Sequence, residues 1–286
     1  MGMPTWVIFA LGAAVLSATV NVIDKTVLAR WMRRAEGSLA PYAVLEGASG
    51  LAALAVLGFP AMPLGERAAA VLAGAVYGLA TVFYFRALKI GETSRLIPLY
   101  DLIPLLTLGF AVIFLGEQLS GRQLAAVLLI VLGALTLSMK HWGARGFIPG
   151  IGWMSLTVLA TAAASILSKY ALGEADAWTV FGYSRVGTFA VLLPFLPSAA
   201  RLFAEAVRRH GGVVAAATGL SEGLTVTMVL LFIHAAARGP ISLVSALVGT
   251  HPLFLLGLTF GIGERGDFAR KAAAVAAIVA GAALVV

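Results

Sequence analysis

The sequence predicts an all-α integral membrane protein in which ten transmembrane helices form two inverted five-helix repeats. Hydrophobic residues make up 60% of the 286 positions and charged residues only 12%, about half the charged fraction of a soluble domain. Apolar runs of about 20 residues recur along the chain, and a helix of that length crosses a hydrocarbon core about 30 Å thick. Helices satisfy their own backbone hydrogen bonds, so they are the expected spanning element.

Glycine, proline and charged residues divide the apolar runs into ten predicted spans. In chain order these are residues 4–29, 39–58, 67–87, 94–115, 119–139, 148–172, 177–197, 212–236, 240–262 and 267–286. Between the seventh and eighth spans, residues 198–210 place charged side chains on one helical face and Leu202, Phe203 and Ala206 on the other. This amphipathic pattern predicts a short helix at the membrane surface.

The two halves of the chain repeat one residue pattern. Alanine, glycine and proline with the spacing A-x3-G-x12-P occur once in each half and are followed by matching glycines and a Gly-Glu pair. The matched pairs are Ala87 and Ala235, Gly91 and Gly239, Pro104 and Pro252, Gly109 and Gly257, Gly116-Glu117 and Gly263-Glu264, and Gly133 and Gly281. Many transporters are built from duplicated bundles, so we predict two homologous units, residues 1–145 and 146–286. The two glutamates are predicted to serve in turns and capping.

An odd number of helices in each unit predicts that the second unit is inverted in the membrane relative to the first. Lys and Arg residues cluster in the loops after the odd-numbered spans, and basic loops stay on the cytoplasmic side. These residues are Arg30, Arg33, Arg34, Arg86, Lys89, Arg95, Lys140, Arg145, Arg201, Arg208, Arg209, Arg265, Arg270 and Lys271. The other loops contain only Arg67, Arg122 and Arg238. The distribution predicts a multi-pass protein of the cell inner (cytoplasmic) membrane with both termini outside.

Matching polar stripes occur on the first and sixth spans. In each stripe the residues are spaced so that they share one helical face. The stripes are Ser17, Asn21 and Asp24 on the first span and Thr161, Ser165 and Ser168 on the sixth. They predict a shared polar wall of a substrate cavity, although helix–helix hydrogen bonds between small polar residues would give the same pattern. Lys25 and Lys169 come next, near helix ends, where long side chains are expected to reach the interface.

Ionisable side chains inside a bilayer are costly, so each is a candidate for function. Glu222 lies about ten residues into the eighth span and Glu46 about seven into the second, at depths where water is scarce. A carboxyl group that takes up and releases a proton there would couple transport to protons, and we predict this role for Glu222 and Glu46. The alternatives are a neutral, hydrogen-bonded acid or a static ion pair with Arg185 of the seventh span.

Asp101 lies between Pro98 and Pro104, where the fourth span must lose backbone hydrogen bonds and is expected to bend. Its carboxyl group is predicted either to act on the substrate or to cap the exposed backbone. Tyr77 and His251 add polar surface within the membrane, with packing as the alternative role. The predicted substrate-binding residues are Ser17, Asn21, Asp24, Glu46, Tyr77, Asp101, Ser165, Ser168, Arg185, Glu222 and His251.

The composition argues against several other classes of protein. The chain has no cysteine, and its four histidines are scattered without a metal-ligand spacing. The basic residues form no continuous face for a nucleic acid, and no GxxxxGK[ST] loop is present for ATP. We therefore predict no cofactor, no metal and no nucleic-acid partner.

The repeated A-x3-G, P, GE and G series, together with Arg185, resembles the ten-helix EamA-type members of the drug/metabolite transporter superfamily. The resemblance implies a secondary transporter rather than an enzyme. Its substrate would be a small metabolite such as an amino acid or a related compound, exported by alternating access, and the protein would be a monomer or a homodimer among membrane lipids. One alternative is a flippase or transporter for a lipid-linked or nucleotide-linked sugar, which the basic residues Lys25, Arg86, Lys89 and Arg95 would suit. An integral-membrane enzyme is less favoured, because no loop is long enough to build a catalytic cap.

Overall fold

The computed structural model describes residues 3–32, 35–91, 93–138, 149–258 and 268–285. Nearly all of these residues are helical and none of them forms a strand, which confirms the predicted all-α class. The helices are α1 (Thr5–Arg30), α2 (Leu39–Val56), α3 (Leu64–Ile90), α4 (Thr93–Tyr100), α5 (Ile103–Leu115), α6 (Gly121–Ser138), α7 (Ile151–Ala171), α8 (Ala177–Leu192), α9 (Leu196–His210), α10 (Gly212–Arg238), α11 (Ile241–Val248), α12 (His251–Leu258) and α13 (Phe268–Val285). Short 3-10 turns, Ala35–Ser38 and Leu193–Phe195, precede α2 and α9.

Nine helical segments among the described residues are long and apolar enough to cross a membrane. They coincide with the first nine predicted spans, so the chain is a multi-pass membrane protein. The tenth predicted span is α13, whose 18 residues pack along α6. Several predicted features lie outside the described residues: the boundary at 145/146, Gly263-Glu264, the loop residues Arg33, Arg34, Lys140, Arg145 and Arg265, and the side chain of Arg95.

The amphipathic segment between the seventh and eighth spans is helix α9. It follows α8 through the 3-10 turn Leu193–Phe195 and begins at Leu196, slightly before the predicted start. The charged residues Arg201, Glu205, Arg208 and Arg209 are exposed. On the opposite face Ala206 is buried and Phe203 packs with Val27 and Met32 at the end of α1. The helix is therefore attached to the bundle by its apolar face.

The fourth and ninth spans are each broken near their middle. α4 gives way to α5 at Asp101–Leu102, between the two prolines as predicted, and α11 gives way to α12 at Gly249–Thr250. Each break begins three residues before a matched proline, Pro104 or Pro252, whose ring cannot continue the helical hydrogen-bond ladder. Non-helical backbone is tolerated at membrane depth where it lies inside the protein. The breaks therefore place polar groups within the bundle.

α6 and α13 cross at two glycines, each of which packs against an isoleucine of the other helix. Gly133 of α6 lies against Ile278 of α13, and Gly281 of α13 lies against Ile130 of α6. An added methyl group at Gly133 or Gly281 would come within 2.6 Å or 2.7 Å, respectively, of the isoleucine Cγ1 atom. Small residues at such crossings let the helix backbones approach closely, which favours helix association in membranes.

α3 and α8 touch through their backbones. A methyl group at Gly74 would overlap the carbonyl oxygen of Ser184, and one at Gly187 would overlap that of Val71. Thr188 adds a hydrogen bond, because its Oγ1 donates to the carbonyl oxygen of Gly74 at 2.9 Å. No larger side chain fits at either glycine without separating the two helices.

Candidate functional site

A cavity of about 120 Å³ lies at the two helix breaks, between helices from both halves of the chain. Seven of the predicted site residues line it: Ser17, Tyr77, Asp101, Ser165, Ser168, Arg185 and His251. Thr161, the remaining residue of the second stripe, lines it too, so the predicted polar wall consists of the whole second stripe and of Ser17 from the first. The other predicted residues, Asn21, Asp24, Glu46 and Glu222, are placed elsewhere. Apolar lining includes Phe232, Ile233 and Val248.

The hydroxyl groups of the second stripe are bonded to their own helix. Thr161 Oγ1 donates to the carbonyl oxygen of Thr157 at 2.8 Å, and Ser165 Oγ donates to that of Thr161 at 3.0 Å. A hydroxyl oxygen that donates in this way keeps its lone pairs for accepting a further hydrogen bond. The α7 side of the cavity is therefore a mildly polar surface without charge.

Arg185 forms a buried ion pair with Glu46. Its Nη1 donates to Glu46 Oε2 at 2.7 Å, and the glutamate is 0% exposed. The guanidinium carbon also lies 5.5 Å from the ring centre of Tyr77 and 5.8 Å from that of Phe181. Arg185 lines the cavity while its charge is balanced from behind by α2. A static ion pair with Arg185 was one of the alternatives for both glutamates, and the structure shows it for Glu46 but not for Glu222.

Glycines on α2 make room for this ion pair. A methyl group at Gly50 would lie 2.7 Å from the Cβ atom of Arg185, and one at Gly47 would lie 2.8 Å from the Phe189 ring. The close approach of α2 to α8 brings Glu46 within reach of the guanidinium. Removing either charge would leave the other uncompensated in a low-dielectric interior, which costs several kcal/mol in soluble proteins.

Asp101 occupies the break between α4 and α5 and is 2% exposed. Its Oδ1 atom lies 3.8 Å from Nε2 of His251, the first residue after the break between α11 and α12. Neither carboxylate oxygen has a hydrogen-bond partner among the described residues, although Ser138 lies nearby. The carboxyl group therefore does not cap the α4 or α5 backbone there, and Asp101 is one of the residues that line the cavity.

Two further acidic residues, Asp24 and Glu222, lie where α1 meets α10. Asp24 Oδ1 accepts a hydrogen bond from Ser221 Oγ at 2.5 Å. The next residue on α10, Glu222, is 7% exposed, and the carboxylates of Asp24 and Glu46 both act on it electrostatically. Within the described residues Glu222 makes no hydrogen bond or ion pair. Asn21 is half-buried on α1, one turn before Asp24.

Glu222 is buried on α10 next to two glycines that lack close neighbours. The spacing of 148 residues that relates Gly91 to Gly239 pairs Glu222 with Gly74, the glycine pressed against α8. On α10 the neighbouring glycines Gly219 and Gly223 have no heavy atom within 4 Å of an added methyl group. The contact that is tight on α3 is thus loose on α10.

Glu117 and Lys169 hold the corner between α10 and α11, a role that sequence reasoning assigned only in part. Glu117 Oε1 accepts from the backbone N–H of Ile241 at 2.8 Å, and its other oxygen accepts from the backbone N–H and hydroxyl of Ser242. Lys169 Nζ donates to the carbonyl oxygens of Ala236 and Gly239 at 2.7 and 3.0 Å. Glu117 was predicted as a capping residue, but the helix it caps belongs to the other half. Lys169 caps a helix end rather than reaching the interface.

These features define a multi-pass α-helical membrane protein with a cavity that is lined by both halves of the chain and contains several polar groups. Residues 4–139 match the EamA-like transporter family, which confirms the resemblance based on the A-x3-G-x12-P pattern for this half of the chain. The chain is 40% identical over 68 residues to a protein from Sinorhizobium sp. named "Uncharacterized transporter in cobO 3'region". That match covers 24% of this chain and spans about half (48%) of the relative's length.

A solved crystal structure has the same fold. It superposes with a TM-score of 0.74, and the match covers 98% of this chain and 96% of the other. The sequence identity is 22%, so the similarity concerns the fold alone.

Proposed function

We propose that the protein is a secondary transporter that exports a small metabolite, such as an amino acid or a related compound, by alternating access. The observation that carries this proposal is the cavity at the two helix breaks, which has polar and charged residues in a largely apolar lining, lies at membrane depth and has walls from both halves. Transporters commonly place substrate sites between repeats, at discontinuous helices near the bilayer midplane. Catalysis and a bound cofactor form no part of this function.

The proposed mechanism has two inverted units, residues 1–145 and 146–286, exchanging roles around the cavity. Two pairs of equivalent features support it. Gly91 and Gly239 end α3 and α10 in the same extended conformation, each donating its N–H to an alanine carbonyl at 2.9 Å. The contacts of Gly133 and Gly281 exchange partners across α6 and α13, as a two-fold relation requires. The basic loops favour the inner membrane with both termini outside.

We assign proton coupling to Glu222, with Glu46 held in its ion pair. Gly74 lets α3 lie against the α8 backbone, whereas the buried Glu222 stands at the corresponding place on α10, beside glycines that have no heavy atom within 4 Å of an added methyl group. If the second unit adopts the tight contact that the first has now, Glu222 would be pressed into a dry helix interface. A charged carboxylate resists such burial by several kcal/mol, so closure would require a proton or a cation at Glu222.

The sugar-flippase alternative receives less support from the basic residues it would use. Lys89 Nζ is paired with Glu36 Oε1 at 2.9 Å, and the Arg86 guanidinium lies over the rings of Trp153 and Phe195. Of the described side chains considered for phosphate binding, Lys25 alone is exposed without such a contact. Phosphate recognition would need these residues to exchange their present partners.

A transport assay with two matched variants tests the proposal. Purified protein in proteoliposomes would be screened for counterflow of radiolabelled amino acids and related metabolites. Ala164→Phe fills the cavity wall of α7 and should abolish counterflow, whereas Leu159→Phe adds a ring to the exposed side of the same helix and should leave it unchanged. Equal counterflow in both variants would mean that the substrate does not pass through this cavity.

A further inference from the structure

We propose that Asp101 and His251 form a subsite for the protonated amino group of the substrate, so that the molecules carried are amines or amino acids. The inference deepens the proposed function and rests on it, because the subsite lies in the wall of the same cavity. The two helix breaks would then together recognise the ammonium group of the substrate.

Asp101 has a buried carboxylate without a hydrogen-bond donor among the described residues. The carboxylate is 2% exposed, and within the described part of the chain neither oxygen accepts a hydrogen bond. Buried polar groups in folded proteins are nearly always hydrogen-bonded, and an unpaired buried charge costs far more than a neutral group. Since Asp101 lines a cavity, a ligand in that cavity is the natural source of the missing donor.

The charges that line the cavity are not balanced. Among the described residues, one acidic and one basic side chain line it apart from histidine, Asp101 and Arg185. The guanidinium is already balanced by Glu46 at 2.7 Å, whereas Asp101 has only the imidazole of His251 at 3.8 Å, beyond hydrogen-bond distance. The cavity therefore keeps one unmatched carboxylate, and a monocationic group complements it.

The geometry of Asp101 and His251 suits an ammonium group. Nε2 of His251 lies 3.8 Å from Asp101 Oδ1. In a neutral imidazole one ring nitrogen carries the proton and the other accepts, so with the proton on Nδ1 the Nε2 atom is an acceptor beside the carboxylate. A nitrogen atom about 2.8 Å from both acceptors, the usual length of a charge-assisted hydrogen bond, would see them about 85° apart. An –NH3⁺ group has three donors and suits two acceptors so placed.

The other residues that line the cavity suit the part of an amine or amino acid beyond its ammonium group. Tyr77, Tyr100 and Phe232 line the cavity, and aromatic faces attract cationic groups and pack against apolar ones. Arg185 uses Nη1 for Glu46 and Nε toward Ser184. Its Nη2 group makes no hydrogen bond to the described residues, so it can donate to the carboxylate of an amino acid held at Asp101.

Three leucine derivatives on purified protein test the subsite. L-Leucine and L-leucinamide have a free ammonium group, and N-acetyl-L-leucine does not. We expect the native protein to bind both amines at least about tenfold more tightly than the acetylated compound, because losing a hydrogen bond to a charged group costs that much or more. Asp101→Asn should weaken both amines by about tenfold or more and leave N-acetyl-L-leucine unchanged. Glu174→Gln, which removes an exposed acid elsewhere, should change none of the three affinities.

Stability separates a binding role for Asp101 from a structural one. The carboxylate makes no hydrogen bond to the described residues, so Asp101→Asn should melt at the same temperature as the native protein or higher when no amine is present. Unchanged leucinamide affinity in the variant, a lower melting temperature, or failure of both amines to bind the native protein would overturn the subsite. Counterflow of compounds without an amino group would overturn it while leaving transport intact, whereas the absence of counterflow with every compound would overturn the proposed function itself.

Discussion

Glu117→Ala should destabilise the protein measurably, because this side chain joins the two halves at the start of α11. Its carboxylate is the hydrogen-bond acceptor for the backbone N–H groups of Ile241 and Ser242 and for the Ser242 hydroxyl. Ile241 and Ser242 are both 0% exposed. Alanine would leave these donors without a partner, since the first N–H groups of a helix have none within it.

The size of the effect follows from the bonds removed. Hydrogen bonds within membrane proteins average about 0.6 kcal/mol each, so the three would contribute about 2 kcal/mol. Two buried N–H groups left unsatisfied cost about 1–3 kcal/mol each by soluble-protein values. We expect a loss of about 2–4 kcal/mol, corresponding to a melting temperature lower by about 5–10 °C for a chain of this size. Glu117→Gln keeps one acceptor oxygen and should show about half this effect.

Thermal unfolding in detergent, followed by loss of monodisperse protein, measures the difference. The control is Gln118→Ala, which truncates the exposed neighbouring side chain. If Glu117→Ala melted within about 1 °C of this control, the carboxylate would not stabilise the corner, and the capping argument would be wrong. Lys169→Met, which removes the donor at the end of α10, should lower the melting temperature in the same direction.

Three further predictions concern other parts of the fold. Gly74→Ala should lower the melting temperature by several degrees or prevent folding, since its methyl group meets the α8 backbone, while Gly219→Ala, which faces open space, should not. In proteoliposomes with a known substrate, Glu222→Gln should abolish accumulation driven by a pH gradient and retain substrate exchange; an unchanged pH response would place the proton elsewhere. Partial burial acts to raise the pKa of Asp176, but hydrogen bonds from Thr179 and Trp178 outweigh it and lower that pKa. Its stabilisation is therefore full above its unfolded pKa of about 3.9 and is lost as pH falls through the folded value. The melting-temperature gap between native protein and Asp176→Asn should shrink below about pH 4, and a gap independent of pH would contradict this.

The sequence predicted the positions of the helices better than it predicted which side chains pair between helices. Hydropathy and the prolines located nine spans and the break at Asp101, because apolar length and a missing backbone donor act within one segment. The pairing of Arg185 with Glu46 joins residues 139 apart, and that of Ser221 with Asp24 joins residues 197 apart. Helical periodicity indicates which residues share a face but not which helix that face meets. The sequence predicted that both glutamates lie within the membrane. That Arg185 pairs with Glu46 and not with Glu222 depends on the packing of α2 on α8, which the sequence does not show.

The backbone contact between α3 and α8 restricts how the molecule can change shape. Neither helix can roll or slide along the other without driving a carbonyl oxygen into a neighbouring Cα, and the Thr188 hydrogen bond fixes their register. The two helices should therefore move as a single rigid body. Tyr77 and Arg185 stand on this body, one on each helix, 5.5 Å from ring centre to guanidinium carbon. The cavity wall that they form would then keep one shape whether the cavity opens to the inside or to the outside. The hinge motion would take place in the broken helices on the opposite side of the cavity.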